Sequence, residues 1–214
     1  MGGWSLVLIA VALCVGVFIW RANRRRDRGE PPPALERRGV DPQALDIRNV
    51  GVGGVFSLRA FGDDMADLDV SVMARHLYDE DGYRWHELEG ETGGRRVWLT
   101  VDEDDELVLT VTLSKFRLDE VGLDRRQIEA VDDDDDVTVE LDGVRFYFDD
   151  RGEAVFYRHG DRTAGQDFTY WEFCDDNETR FLTVERWSDG SYEGHVSQVL
   201  REDQLTIYSL DDRG

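Results

Sequence analysis

The chain has 214 residues, with 47 aspartates and glutamates against 25 lysines and arginines, which gives a formal net charge of −22. Hydrophobic residues make up 41% of the chain and aromatic residues 11%, which argues against a wholly disordered protein. A surface this acidic repels a polyanion, which argues against nucleic-acid binding. With only two cysteines, a disulfide framework is excluded as well.

The chain opens with an uncharged apolar run, residues 4–20, which begins at Trp4 and ends at Trp20. At about 1.5 Å of rise per residue, this run reaches about 25 Å as a helix, the short end of a bilayer span. No basic segment precedes it and no small-residue cleavage site follows it, which argues against a removed signal peptide. The sequence therefore predicts a single-pass anchor over residues 1–21 that contacts the lipid bilayer through residues 4–20.

A basic, proline-containing linker is predicted over residues 22–40. Five arginines lie within residues 21–28, and such a flank stays on the cytoplasmic side of a membrane. We therefore expect localisation in the cell membrane, with the N-terminus outside and the following domain, residues 41–210, in the cytoplasm. The first 29 residues hold five arginines and one aspartate, a net charge of +4, so the remainder carries −26.

The domain is rich in period-two alternation of apolar and polar residues, which is typical of β-strands. Two such runs flank Asp142-Gly143, and this arrangement is a strong hairpin signal. Asp81-Gly82 and Asp189-Gly190 predict similar turns between strands. A further apolar stripe runs through Leu107, Leu109, Val111 and Leu113.

Helix is scarce, and the best candidate is Asp124–Val131, with Asp124 as N-cap and Gln127 at the capping-box position. Many short strands joined by glycine- and aspartate-containing turns indicate a mainly β fold. We predict antiparallel meander or hairpin sheets that form a sandwich or a partly closed barrel.

An internal echo raises the alternative of two related halves. Trp85-His86-Glu87-Leu88 followed by Leu99-Thr100-Val101-Asp102 is similar to Trp171-Glu172-Phe173 followed by Leu182-Thr183-Val184-Glu185. The repeated use of threonine and valine on half-buried strands explains the echo equally well.

The same strands resemble the DUF4178 family of bacterial domains of unknown function. The resemblance rests on a glycine-bearing strand at residues 50–56, the strands Trp85–Leu88 and Val97–Leu99, and a late acidic strand, Leu182–Trp187, followed by Tyr192-Glu193-Gly194. It spans roughly Leu45 to Tyr208. It implies a membrane-associated bacterial protein and supplies no reaction, cofactor or catalytic residue.

No catalytic, cofactor-binding or metal-binding residue is predicted. The acidic run Asp132–Asp136 lacks the alternation and glycine of a calcium loop, so we interpret it as a solvated turn. The four histidines, His76, His86, His159 and His195, show no short ligand spacing, and we expect them to be scattered.

Four tryptophans, Trp85, Trp98, Trp171 and Trp187, are the remaining candidates. Large aromatic side chains in a β-domain mostly form its core. One or two of these four are predicted as a surface for a partner protein.

The favoured hypothesis is a non-enzymatic interaction or scaffold module, held at the membrane, whose protein partner carries a basic surface. The first alternative is a β-barrel that binds a small molecule or a cation. The second alternative is an unrecognised hydrolase. That enzyme would need a pocket of convergent side chains with perturbed pKa values, which we do not expect.

Overall fold

The computed structural model describes residues 44–61, 66–103, 106–132 and 137–210, which belong to one compact unit. The predicted anchor at residues 4–20 and the linker at 22–40 lie outside these residues, and so do Asp133–Asp136 of the acidic run. Within the described ranges, no helix has the length and hydrophobicity needed to cross a bilayer.

In the described part of the chain, eleven strands form one antiparallel sheet, so the mainly β prediction is confirmed. The strands are β1 Val55–Phe61, β2 Ala66–Glu80, β3 Tyr83–Thr92, β4 Arg95–Glu103, β5 Leu107–Phe116, β6 Thr138–Leu141, β7 Val144–Tyr157, β8 Gly165–Asp175, β9 Arg180–Trp187, β10 Tyr192–Val199 and β11 Leu205–Ser209. Their order across the sheet is β11-β1-β2-β3-β4-β5-β10-β9-β8-β7-β6.

The sheet closes on itself. Strands β1 to β5 pair in chain order as one meander, and strands β6 to β10 pair in chain order as a second. The two meanders meet where β5 pairs with β10 and where β2 pairs with β7. Eight strands therefore form a closed ring, which we call the eight-stranded ring, while β1, β11 and β6 extend the sheet beyond it. Of the two predicted architectures, this is the partly closed barrel.

The predicted aspartate-glycine turns lie at strand joints. Asp142 and Gly143 connect β6 to β7 with φ values of 52° and 76°, and Asp81 and Gly82 connect β2 to β3 with φ values of 50° and 94°. Positive φ at both central residues is the geometry that matches the twist of a two-residue hairpin. These two hairpin predictions are confirmed, and the third pair, Asp189-Gly190, lies in the connection between β9 and β10.

The outer face of the sheet carries two hydrophobic cores, one for each meander. The first contains the apolar positions of β1 to β5, among them Phe56, Leu58, Val70, Leu88, Leu99 and Val111. The second contains Phe146, Trp171, Phe173, Leu182, Val184 and Val196. Most of these side chains are almost completely buried.

A short helix, α1 (Arg125–Glu129), packs Ile128 into the second core. Its N-cap Asp124 accepts hydrogen bonds from the backbone N–H groups of Arg126 and Gln127, and the Gln127 side chain accepts from the N–H of Asp124. The predicted capping box is confirmed. The helix ends at Glu129, two residues before the predicted end at Val131.

The apolar stripe of β5 is interrupted. Leu109 and Val111 are buried as predicted, but the Leu113 side chain is 37% exposed. The pairing of β5 with β10 shifts register between Val196 and Ser197, and this bulge breaks the regular alternation at Leu113.

The internal echo corresponds to equivalent hairpins, because its two copies lie in β3 and β4 and in β8 and β9. Leu99 and Leu182 are both fully buried in the outer cores. The two tryptophans of the echo differ: Trp171 lies in the second outer core, whereas Trp85 contacts aromatic side chains on the inner face of the ring.

Candidate functional site in the interior of the ring

Aromatic side chains from five strands fill one level of the ring interior. Tyr78 of β2 pairs with Trp85 of β3 and with Phe156 of β7, so the three side chains share the inner face. The Tyr78 and Trp85 rings stack with centroids 5.2 Å apart, and the Tyr78 and Phe156 centroids are 5.1 Å apart. Phe168 and Trp187 continue this layer with centroids 5.0 Å apart.

A layer of charged and polar side chains adjoins the aromatic layer. In β10, His195 pairs with Lys115 of β5, and Glu193 pairs with Glu185 of β9. Since residues two apart on a strand lie on the same face of a sheet, these four side chains share one face. Glu87 of β3 joins them, because the Tyr78 hydroxyl donates to Glu87 Oε1 over 3.4 Å. We call Glu87, Lys115, Glu185, Glu193 and His195 the interior cluster.

Lys115 and Glu193 mark where the interior cluster meets solvent. Lys115 Nζ lies 3.1 Å from Glu193 Oε2, and their side chains are 55% and 50% exposed. The same ammonium lies 5.1 Å from the centroid of the Trp98 ring, within the range of a cation–π contact. The other three members, Glu87, Glu185 and His195, are half-buried.

The interior cluster has strongly perturbed acid–base properties. Burial, assisted by repulsion from Glu87 and Glu193, raises the pKa of Glu185 to about 8. Burial also raises the pKa of Glu87 to about 7, although Lys115 and the Tyr78 hydroxyl act in the opposite direction. Burial, together with repulsion from Lys115, lowers the pKa of His195 to about 4. At neutral pH the imidazole is therefore uncharged and the two carboxyl groups are partly protonated.

The electrostatic interaction between Tyr78 and the glutamates of the interior cluster shows that the cluster spans the ring. Burial raises the pKa of the Tyr78 hydroxyl, and the charges of Glu87, Glu185 and Glu193 raise it further. Tyr78 lies on β2, whereas Glu185 and Glu193 lie on β9 and β10 in the other meander. The two meanders therefore direct their carboxylates into one shared space.

Two members of the cluster are available for a ligand. Among the described residues, neither the Glu185 carboxyl nor the His195 imidazole has a hydrogen-bond partner, yet both keep some solvent contact. A polar group in such a position has to be satisfied by water or by a bound molecule. The interior cluster therefore brings together several side chains with perturbed pKa values, which was not predicted from the sequence.

Three of the four histidines are not scattered. His76 Nδ1 accepts the backbone N–H of His159 over 3.1 Å, and His86 Nδ1 lies 3.2 Å from the His76 carbonyl oxygen. The other ring nitrogen of His76, Nε2, contacts Glu89 over 3.2 Å. Within the described residues, no group of three or more histidine, cysteine or acidic side chains has the arrangement of a metal site.

The four candidate tryptophans occupy different environments. Trp171 is 1% exposed in the second outer core, so it has no surface to offer to a partner. Trp85 and Trp187 belong to the inner aromatic layer, and Trp98 lies beneath the Lys115 ammonium. These three are half-buried.

The interior cluster could not be predicted from the sequence pattern because its members are spread over four strands. One signal was available: in β3, Glu87 and Glu89 alternate with Leu88 and Gly90, of which the latter two are buried on the outer face. A strand with apolar residues on one face and glutamates on the other indicates a polar interior, if the glutamate face is enclosed. Enclosure is a property of the closed ring and is not visible in one strand.

Comparison with known proteins places the ring in a family. The family described as "Domain of unknown function (DUF4178)" matches residues 68–202, a range that contains most of β2 and all of β3 to β10. Uncharacterized proteins from Mycobacterium bovis and Mycobacterium tuberculosis are each 27% identical over 222 residues, covering 96% of this chain and 96% of the relative. No solved structure matches the chain. Since the family match covers more than half of its length, this chain belongs to the DUF4178 family.

Proposed function

We propose that this protein is a non-enzymatic binding module that takes up a small ammonium ion inside the eight-stranded ring. The observation that supports it is the interior cluster, where three glutamates and one lysine lie beside aromatic rings at a place open to solvent. Carboxylates and aromatic faces are the two groups that bind organic cations in proteins. The Lys115 ammonium, between Glu193 and the Trp98 ring, is itself held in this way.

The perturbed acidities favour a cationic ligand over an anionic one. Glu87 and Glu185 have raised pKa values because burial disfavours their charged forms. A cation that enters the ring stabilises both carboxylates and displaces their protons. Binding should therefore become tighter as the pH rises from about 6 to about 9, and each binding event should release protons.

A simple amine should stabilise the folded protein against heat. At pH 8.5, n-butylammonium at ten times its Kd should raise the Tm of the full-length chain by about 2–5 °C. The same concentration of n-butanol, a neutral molecule of similar shape, should not. The shift should shrink at pH 6, because protonated Glu87 and Glu185 attract a cation less. Differential scanning calorimetry measures all three.

The matched variant is Glu185→Gln, which keeps the shape of the side chain and removes its charge. It should weaken butylammonium binding at pH 8.5 at least five-fold in isothermal titration calorimetry. Equal shifts from n-butanol and butylammonium, or unchanged binding by the variant, would contradict the proposal. A shift with millimolar Ca²⁺ and none with the amine would favour a metal ion as the ligand.

A hydrolase is a second candidate, and one specific observation favours it. Glu185, with a pKa of about 8, pairs across the strands with Glu193, whose carboxylate contacts Lys115. A protonated carboxyl beside an ionised one is the acid–base combination used in glycoside hydrolysis. The test is hydrolysis of a nitrophenyl glycoside by the full-length chain and by Glu185→Gln. Hydrolysis that is lost in the variant would show that the function of this site is catalysis and not binding.

We also propose that residues 4–20 anchor the chain in the cell membrane, with the β-domain in the cytoplasm. The uncharged run, its terminal tryptophans and the five arginines after it support this proposal. The full-length protein should stay in the membrane fraction after alkaline carbonate extraction, whereas a variant lacking residues 1–21 should be released. A protease added outside intact cells should leave the β-domain uncleaved.

A role as a membrane-held scaffold for a basic protein is compatible with ligand binding and is proposed alongside it. Its support is the net charge of −26 beyond residue 29. Capture of a partner by the immobilised chain should weaken steeply between about 50 and 300 mM salt. Capture that does not respond to salt would contradict a charge-driven interface.

A further inference from the structure

A concave region lies on the outer face of the sheet, where the two meanders meet. It is a groove of about 740 Å³, within the size range of small-molecule sites. The first meander contributes Val97, Val111 and Leu113 to its lining, and the second contributes Leu141, Phe146 and Val196. Val97 and Val111 belong to the first outer core and Phe146 and Val196 to the second, so these side chains form an apolar floor. Thr92, Thr112 and Ser114 add polar groups to the lining.

The bulge in β5 lies at this groove. Leu113 is the extra residue at the register shift between β5 and β10, and it is 37% exposed in the lining of the groove. An exposed leucine above an apolar floor is a surface that favours a hydrocarbon chain.

The charge of the groove has the opposite sign to the charge of the protein. Arg95, Arg96 and Arg180 line it, and Asp142 is the one acidic residue among the described residues of the lining. Arg96 already pairs with Glu89. In the described part of the chain, the guanidinium groups of Arg95 and Arg180 have no carboxylate partner. Two unpaired guanidinium groups beside an apolar groove are unusual in a chain with a net charge of −22.

We propose that this groove binds a monomeric fatty acid, with the carboxylate held by one of the two unpaired arginines, Arg95 or Arg180, and the acyl chain lying on the apolar floor. Guanidinium groups bind carboxylates through paired, charge-assisted hydrogen bonds, which select an acid over an alcohol of the same length. The apolar floor selects a long chain over a short one. This site is separate from the interior cluster and uses none of its residues.

The test is titration calorimetry of the full-length chain with decanoate and dodecanoate below their micelle concentrations. Each added methylene should tighten binding about three-fold. Dodecanol should bind at least ten-fold more weakly than dodecanoate. Equal affinity for the acid and the alcohol would overturn the proposal, because the arginines would then play no part.

Single substitutions test which of the two arginines holds the carboxylate. At least one of the variants Arg95→Gln and Arg180→Gln should weaken dodecanoate binding about five-fold or more, whereas Arg59→Gln, which changes an exposed arginine on β1 outside the groove, should not. Glu185→Gln should leave dodecanoate binding unchanged, so failure of the ring proposal and failure of the groove proposal give different results. Unchanged binding in both groove variants would overturn the assignment.

Discussion

Replacing Trp171 by alanine should lower the free energy of unfolding by about 3–5 kcal/mol, the largest effect we expect from a single substitution in this protein. The Trp171 side chain is 1% exposed and lies in the second outer core, where β8 pairs with β9 and with β7. The Arg151 guanidinium carbon lies 5.7 Å from its ring centroid on one side. Alanine would leave a cavity that a closed antiparallel ring can collapse only in part.

The matched control is Trp171→Phe. The indole Nε1 of Trp171 is buried without a hydrogen-bond partner among the described residues, so the loss of this N–H costs no hydrogen bond. Phenylalanine keeps most of the buried aromatic area, and we expect a loss of about 1–2 kcal/mol. Urea denaturation followed by circular dichroism measures both variants. If phenylalanine costs as much as alanine, the loss does not come from buried volume.

The second large effect concerns pH. Replacing Glu185 by glutamine should stabilise the protein at pH 8 by about 1–3 kcal/mol and leave its stability at pH 4 nearly unchanged. Burial raises the pKa of Glu185 from the ordinary 4.5 to about 8 in the folded protein. Between these two values the folded state holds a proton that the unfolded state has lost. The contribution of Glu185 to stability therefore falls as the pH rises through this interval, and the glutamine variant removes that fall.

The measurement is the difference between the free energies of unfolding of the variant and the wild type at pH 4, 6 and 8. It should grow with pH and level off above about 8. Glu91→Gln is the control, because Glu91 is exposed at the end of β3, and its difference should stay near zero at every pH. A Glu185→Gln difference that is flat with pH would show that this carboxyl is not desolvated. The neighbouring Glu87, whose charge raises the pKa of Glu185, should give the same trend with a smaller amplitude.

Local features were predictable because local chemistry decides them. The Asp142-Gly143 turn requires positive φ at both positions, and the residue pair itself indicates this. The Asp124–Gln127 capping box is likewise a property of four consecutive residues. The alternation of apolar and polar residues in β3, β5 and β7 is a property of single strands. None of these patterns indicates which strand pairs with which.

The strand pairs that close the ring, and the side chains that meet in its interior, were not predictable for that reason. The pairing of Leu77, Tyr78 and Asp79 with residues 155–157 joins segments almost eighty residues apart, and period-two alternation is the same whichever partner a strand finds. Once the ring closes, Glu87 and Glu185 change from ordinary acidic residues of an acidic chain into desolvated neighbours. Their raised pKa values are thus a consequence of the ring topology.

Lys115 offers a single attachment point on the barrel. It is the one lysine of the whole chain, since every other basic residue apart from the histidines is an arginine, and its side chain is half-exposed beside Glu193. Reagents that acylate primary amines will modify this side chain and the chain's own α-amino group and no other amine. A fluorophore attached there would be carried at the edge of the interior cluster, where Lys115 meets solvent. A change in its fluorescence on addition of butylammonium would test the binding proposed for the ring.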